Sequence, residues 1–137
     1  MRVCLDTNVL VAAFATRGLC ADVLRTVLSE HELILNDVIM TEFERALTRK
    51  LKLPEEQVAV AKAVFGVVKL VPKPQKPSEV PVRDPADRWI LASAIAGRAE
   101  VLVTGDDDLL SVSSETPLLI LSPRAFWELL RSSQAEQ

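Results

Sequence analysis

Five short apolar runs, each closed by turn-forming residues and separated by stretches of helical spacing, predict an α/β domain: a three-layer α/β/α sandwich built on a five-stranded parallel sheet. The runs are apolar on both faces rather than alternating, the pattern of parallel strands covered by helices on each side. The chain has 137 residues, of which 49% are hydrophobic and 26% charged, enough for one domain with a substantial core. Right-handed crossovers then restrict the topology to a few doubly wound arrangements.

Val3-Cys4-Leu5 is the first strand, and Asp6-Thr7-Asn8 closes it with residues that favour turns and helix starts. Val9 to Ala15 continues as a short helix, broken by Thr16-Arg17-Gly18. Leu19 to Glu30 places apolar residues at 20, 21, 23, 24, 27 and 28, which is helical spacing. Leu33-Ile34-Leu35 is the second strand, ended by Asn36-Asp37. The next helix, from about Val38 to Arg49, gathers Ile39, Phe43, Ala46 and Leu47 on one face. Leu53-Pro54-Glu55-Glu56 sets a proline and two acids at a helix start, where the dipole favours them, and that helix runs to about Phe65. Val67 to Val71 reads as the third strand.

Residues 72–85 carry five prolines and exclude a regular element. A connection of this length inside a compact domain is usually functional or mobile. Asp84-Pro85 then opens a helix through Ala96 that Gly97 ends. Val101-Leu102-Val103 and Leu118 to Leu121 are the fourth and fifth strands, and Ser122-Pro123 starts a last helix reaching about Leu130. The domain thus spans 1–131, with a polar tail over 132–137 expected to fray.

No apolar run approaches the ~18 residues of a membrane span, and Met1-Arg2-Val3 leads to an Asp within six residues. The expectation is a cytoplasmic chain with no membrane partner. Cys4 lies inside an apolar run and reads as a small core residue, and Cys20 stands at no metal-type spacing from it. The net charge of −3 is unevenly divided: residues 45–88 hold ten Lys/Arg against five Asp/Glu, while the remainder holds six against fourteen. A basic flank beside an acidic region suits a protein that cleaves a polyanion with a metal, although an ordinary solvated surface gives the same tally.

In doubly wound sheets, ligands bind beyond the carboxyl ends of the strands where the strand order reverses. Asp6 follows the first strand directly, and Asp106, Asp107 and Asp108 follow the Val101 strand. Glu42 lies in the helix after the second strand, and Asp84 and Asp87 at the start of the helix before the Val101 strand. Two ionised carboxylates ~4 Å apart repel by about 4 kcal/mol at an effective dielectric near 20. A divalent cation removes that penalty, and oxygen donors with no His or Cys nearby select Mg²⁺ or Mn²⁺ over Zn²⁺. Such a centre is suited to phosphodiester hydrolysis. Each acid also has a plain reading: Asp84 as the cap of the helix opened by Pro85, Asp87 as its capping-box partner, Glu42 as a surface acid, Asp107 as a solvated turn residue, and Asp6 and Asp106 as caps. Their common placement at strand ends favours chemistry.

Four segments carry a resemblance to a known family: Leu5-Asp6-Thr7-Asn8-Val9-Leu10; Met40-Thr41-Glu42-Phe43; Asp84-Pro85-Ala86-Asp87-Arg88-Trp89-Ile90-Leu91-Ala92; and Val103-Thr104-Gly105-Asp106-Asp107-Asp108-Leu109-Leu110. In this order the chain resembles PIN-domain proteins, small metal-dependent ribonucleases that include toxins of the VapC type. The resemblance implies the sheet order 3-2-1-4-5 and an acidic catalytic set at Asp6, Glu42, Asp87 and Asp106. It implies that Asp6, Asp87 and Asp106 bind Mg²⁺ or Mn²⁺, with Asp108 matching an additional acid. Thr7, Asn8 and Thr104 match polar positions that support the site. It further implies endonucleolytic cleavage of RNA leaving 5′-phosphate and 3′-hydroxyl ends, an antitoxin partner whose segment blocks the acidic pocket, and a homodimer.

Arg17, Arg45, Arg49 and Arg88 are the candidates for contacts to the RNA backbone, and Trp89, Phe126 and Trp127 those for an interface, with the core a competing place for the aromatic three. With no Tyr and four Phe, base stacking has little support. The alternative is a non-catalytic PIN-fold scaffold that binds RNA or protein. A haloacid-dehalogenase-type phosphatase would need a second acid where Asn8 stands, and a receiver-type phosphoacceptor a Lys after Val103 or Leu121, where none occurs.

Overall fold

The computed structural model of the chain describes residues 1–135. Strands β1 (Arg2–Leu5), β2 (Glu32–Ile34), β3 (Val101–Val103) and β4 (Leu119–Leu121) form one parallel sheet in the order β2-β1-β3-β4. Val3 stands in register with Leu33 on one side and Val101 on the other, and Val101 with Leu119. Helices α1 (Thr7–Ala15), α2 (Leu19–Glu30), α3 (Asp37–Arg49), α4 (Glu55–Ala63), α5 (Pro85–Ala96), α6 (Asp107–Leu110) and α7 (Pro123–Ala135) flank it. The inner strands β1 and β3 are buried, Arg2 excepted, as their continuous apolar runs require. Connections from β1 lead toward β2 and those from β3 toward β4, so the strand order reverses between β1 and β3.

The elements match the sequence pattern with three differences. The segment Val67 to Val71 is not a strand: Val67 is 93% exposed, and only Val71 reaches the sheet edge, its N–H donating to the Leu35 carbonyl at 2.8 Å. Phe65 is held in the core, and Pro72 and Pro74 lack the N–H groups that would extend pairing beyond Val71. The sheet therefore has four strands among the described residues, the expected order without its third member. Second, α6 and a 3₁₀ turn at Ser113–Glu115 fold where only a connection was expected. Third, α7 continues to Ala135, well into the segment expected to fray, while Glu136 and Gln137 lie outside the described residues.

Two packing features fix the helices that carry the acids. Phe14, Phe43 and Phe65 form a triangle of tilted and edge-on rings with centroids 5.4, 5.5 and 5.8 Å apart, joining α1, α3 and the end of α4. Phe43 is fully buried, which sets the rotation of α3 and turns its neighbour Glu42 toward α1. Gly97, which ends α5, lies against β2: a Cβ there would stand 2.4 Å from Ile34 Cγ2. Cys4 is buried in the core and burial, with the Asp6 charge, pushes its thiol up to about 12. Among the described residues no single helix is long and apolar enough to cross a membrane.

The Gly97 contact yields a test of the packing. Ile34 is itself 2% exposed and its Cγ2 branches directly from Cβ, so it cannot swing aside. Gly97→Ala is expected to cost about 1–3 kcal/mol, read in urea unfolding as a lower midpoint with an unchanged slope.

Candidate functional site

The strand ends themselves bring the first two polar groups together. The Asp6 N–H donates to the Val103 carbonyl at 2.9 Å and the Thr104 N–H to the Leu121 carbonyl at 2.9 Å, so both residues continue the ladder one step past the strands. Asp6 then caps α1, its Oδ1 accepting from the Thr7 N–H at 2.7 Å, and its Oδ2 accepts from the buried Thr104 hydroxyl at 2.7 Å. The Thr104 oxygen in turn accepts the Asp106 N–H at 3.0 Å. Asp106 caps α6 by accepting the Asp108 N–H at 2.8 Å. On the other flank the Thr7 hydroxyl donates to Glu42 Oε2 at 3.1 Å. One hydrogen-bonded chain thus runs from Glu42 on α3 to Asp108 on α6.

Asp87 approaches this chain from α5. Asp84 caps that helix by accepting the Ala86 N–H at 2.9 Å, as its place before Pro85 predicts. Asp87, in the first turn, is buried, and its Oδ2 has no hydrogen-bond partner among the described residues. It makes no capping-box bond back to Asp84; it points to the acids instead. Carboxylate oxygens of Asp87, Asp106 and Asp108 lie within 4.8 Å of one another. Burial foremost, then the neighbouring Asp106 and the charges of Asp6 and Asp84, raises the Asp87 carboxyl to about 8. Asp6 is also raised, by burial and by Asp106, against the lowering effect of its Thr104 and Thr7 bonds. Glu42 is raised by burial and by the Asp6 and Asp84 charges, with Thr7 and Arg45 opposing.

A buried carboxylate oxygen with no partner, facing two further acids through oxygen alone, fits a hard divalent cation. The structure groups Asp87, Asp106 and Asp108 rather than Asp6, Asp87 and Asp106. Asp6 is linked to Asp106 through the Thr104 hydroxyl, and Asp108 is carried toward Asp106 by the single turn of α6.

A cleft of about 270 Å³ opens beside these groups. Asp6, Thr7, Asn8, Glu42 and Asp87 supply its acidic and polar lining, and Arg45, Arg49 and Lys50 its basic lining. Ala46, Ala86 and Ile90 complete the lining. Glu42, Arg45, Ala46 and Arg49 fall on one face of α3 because they recur at three- and four-residue spacing. Lys50, which the sequence reading did not single out, follows at the helix end; its adjacency to Arg49 was the available signal.

Two of the predicted basic residues lie elsewhere. Arg17 lines a separate cavity of about 640 Å³ with Phe14 and Arg25, beyond the turn that ends α1. Arg88 is half-buried and its Nε donates to the Val82 carbonyl at 2.9 Å, tying down the proline-rich segment. Asp107 is exposed, as its turn position predicts. Of the interface candidates, Phe126 is fully buried in the core, Trp127 packs partly against it, and half-buried Trp89 has Lys73 Nζ 5.7 Å from its ring centroid.

One chain of the VapBC2 structure from Rickettsia felis, described as bound to a DNA fragment from their promoter, superposes with a TM-score of 0.61 at 19% identity, covering 88% of this chain and 97% of that one. A chain of VapBC-1 from nontypeable Haemophilus influenzae gives 0.61 at 17% identity, with 90% and 99% covered. A chain of FitAcB from Neisseria gonorrhoeae gives 0.55 at 15%, with 88% and 97% covered. At these identities the likeness is one of fold. No curated protein shows a significant match. A family model described as PIN domain matches residues 2–108, the stretch that runs from β1 through the acidic turn of α6, and the chain belongs to the PIN-domain family.

Proposed function

We propose that this chain is a divalent-metal-dependent endoribonuclease, the toxin member of a toxin–antitoxin pair. The observation that carries the reading is the convergence of Asp87, Asp106 and Asp108 at the switch point, beside a cleft also lined by Arg45, Arg49 and Lys50. Membership of the PIN-domain family supports the nuclease class. Likeness of fold to chains of VapBC structures supports a toxin role and an antitoxin partner; an antitoxin segment over the cleft and work in the cytoplasm belong to the same proposal. Pairing with a second copy belongs to the same reading, but buried Phe126 cannot mediate it.

In this proposal Asp87, Asp106 and Asp108 hold Mg²⁺ or Mn²⁺, and Asp6, which lines the cleft, completes the acidic set on which cleavage depends. The ion, when bound, supplies Lewis acidity at the phosphoryl group and offsets charge on the leaving 3′ oxygen. Arg45, Arg49 and Lys50 hold the RNA phosphates. Thr7 holds Glu42 through Oε2 at the lining of the cleft. With its raised pKa, Glu42 is suited to take a proton there from the attacking water. Asn8, exposed at the cleft wall, is placed to contact substrate. The products are 5′-phosphate and 3′-hydroxyl ends.

The direct test is cleavage of a 5′-labelled pool of structured RNAs by the purified chain. Cleavage is expected with Mn²⁺ or Mg²⁺, lost in EDTA and lost in Asp6→Asn; a chain that neither cleaves nor binds a divalent ion in calorimetry would be the scaffold instead. Thr104→Val keeps the shape but removes the hydroxyl shared by Asp6 and Asp106. It is expected to weaken Mn²⁺ binding about 10–100-fold, measured by titration calorimetry.

Proton linkage gives an independent check in EDTA. Asp87 keeps its proton in the folded state to about pH 8 but releases it near the ordinary carboxyl value of about 4 when unfolded. The folded state therefore binds more protons between those values, and stability falls as pH rises through that window. Asp87→Asn is expected to match the parent below pH ~4 and to melt several degrees higher at pH ~8, with a shallower pH slope. An identical slope in parent and variant would show that Asp87 does not titrate this way.

A further inference from the structure

The cleft beside the acids does not end at Glu42. A second hollow of about 290 Å³ continues from it, sharing Glu42 and Arg45 and lined also by Asp37, Val38, Thr41 and Lys73. Lys73 comes from the proline-rich segment, which the ribonuclease reading leaves without a role. It is exposed, and among the described residues it forms no ion pair; the same holds for Arg45, Arg49 and Lys50. The segment around it is anchored. Val71 donates to Leu35 at 2.8 Å, Ser78 N–H to the Arg88 carbonyl at 3.0 Å, and Arg88 Nε to the Val82 carbonyl at 2.9 Å, while Val82 is fully buried. Lys73 is further held over Trp89, two residues past Asp87 on α5.

We propose that this hollow is a second nucleotide subsite, so that an extended single strand of RNA crosses the site with Lys73 on a phosphate at one side of the scissile bond and Arg49 and Lys50 on phosphates at the other. Arg45, common to both hollows, sits at the junction. Each hollow has the size of a nucleotide and not of a duplex. Lys73 lines only the second hollow and Arg49 and Lys50 only the first, while Glu42 lines both and Asp6 and Asp87 line the first, so a strand threaded through both hollows would pass the acids between its outer phosphate contacts. The acids Asp37 and Glu42 in the second hollow leave the Lys73–Arg45 edge as the one that takes the phosphate. This inference rests on the ribonuclease reading for its substrate class; Lys73 is a positioning residue within it.

The test uses a short 5′-fluorescein-labelled oligouridylate and its duplex with oligoadenylate, binding to the Asp6→Asn chain in Mg²⁺ by fluorescence anisotropy across a salt series. The single strand is expected to bind and the duplex to compete poorly. Lys73→Gln and Lys50→Gln are each expected to reduce the slope of log K against log salt by about 0.7, the loss of one phosphate contact. Lys76→Gln, three residues along the same segment and outside both hollows, is expected to leave it unchanged. An unchanged slope in Lys73→Gln, an equal fall in Lys76→Gln, equal competition by the duplex, or no binding at all would overturn the subsite. Cleavage by the parent chain with an unchanged Lys73→Gln slope sinks the subsite alone. A Lys73-dependent slope in a chain that never cleaves RNA sinks the nuclease reading and leaves the track.

Discussion

One hydroxyl group holds the carboxyl end of the sheet together. Thr104 is fully buried between β1 and β3, and its oxygen gives its proton to Asp6 while receiving one from the Asp106 backbone. Those two bonds fix how the chain leaves each central strand. Asp6 can then start α1 and present Thr7 to Glu42, and Asp106 can start α6 and turn Asp108 inward. A buried hydroxyl serving as donor and acceptor at once costs nothing in unsatisfied polarity, whereas an apolar replacement strands a carboxylate oxygen and an amide.

What this arrangement concentrates is charge that the fold alone does not neutralise. Asp6, Glu42 and Asp87 are all displaced toward the neutral form, and burial is the leading cause in each. For Asp6 and Glu42 neighbouring threonines moderate the shift, but Asp87 has no such relief. It stands in the first turn of a helix, where the dipole favours an anion but burial does not, and that conflict is the physical signature of a candidate functional position.

Most of the architecture was legible because it rests on local rules. Strand runs followed by turn residues, proline after Asp84 and Gly97 after Ala96 each fix an element by steric or capping chemistry that the neighbouring residues reveal. The Val67 to Val71 segment misled because its composition suits a strand, while its pairing depends on where Phe65 and Pro72 hold it. At the site, placement at strand ends brought out the acids. That Asp87, Asp106 and Asp108 bring carboxylate oxygens together was not legible, since it depends on side-chain directions that no spacing encodes. The basic residues were the least legible. Arg88 reads like Arg45 in sequence, yet it serves the backbone of the segment just before its own helix, whereas the periodicity of α3 sorts Arg45 and Arg49 onto the cleft face.

The five prolines between residues 72 and 85 have a meaning beyond breaking regular structure. A proline narrows the backbone choices of the unfolded chain, and of the residue before it, so less freedom is lost when the segment settles. A long connection without ladder hydrogen bonds would ordinarily surrender about 1–2 kcal/mol per residue in backbone entropy. Here much of that freedom is absent from the start. The segment can keep a fixed course over α5 with a handful of anchoring bonds, and hold one lysine in place beside a charged cleft without a strand or helix to carry it.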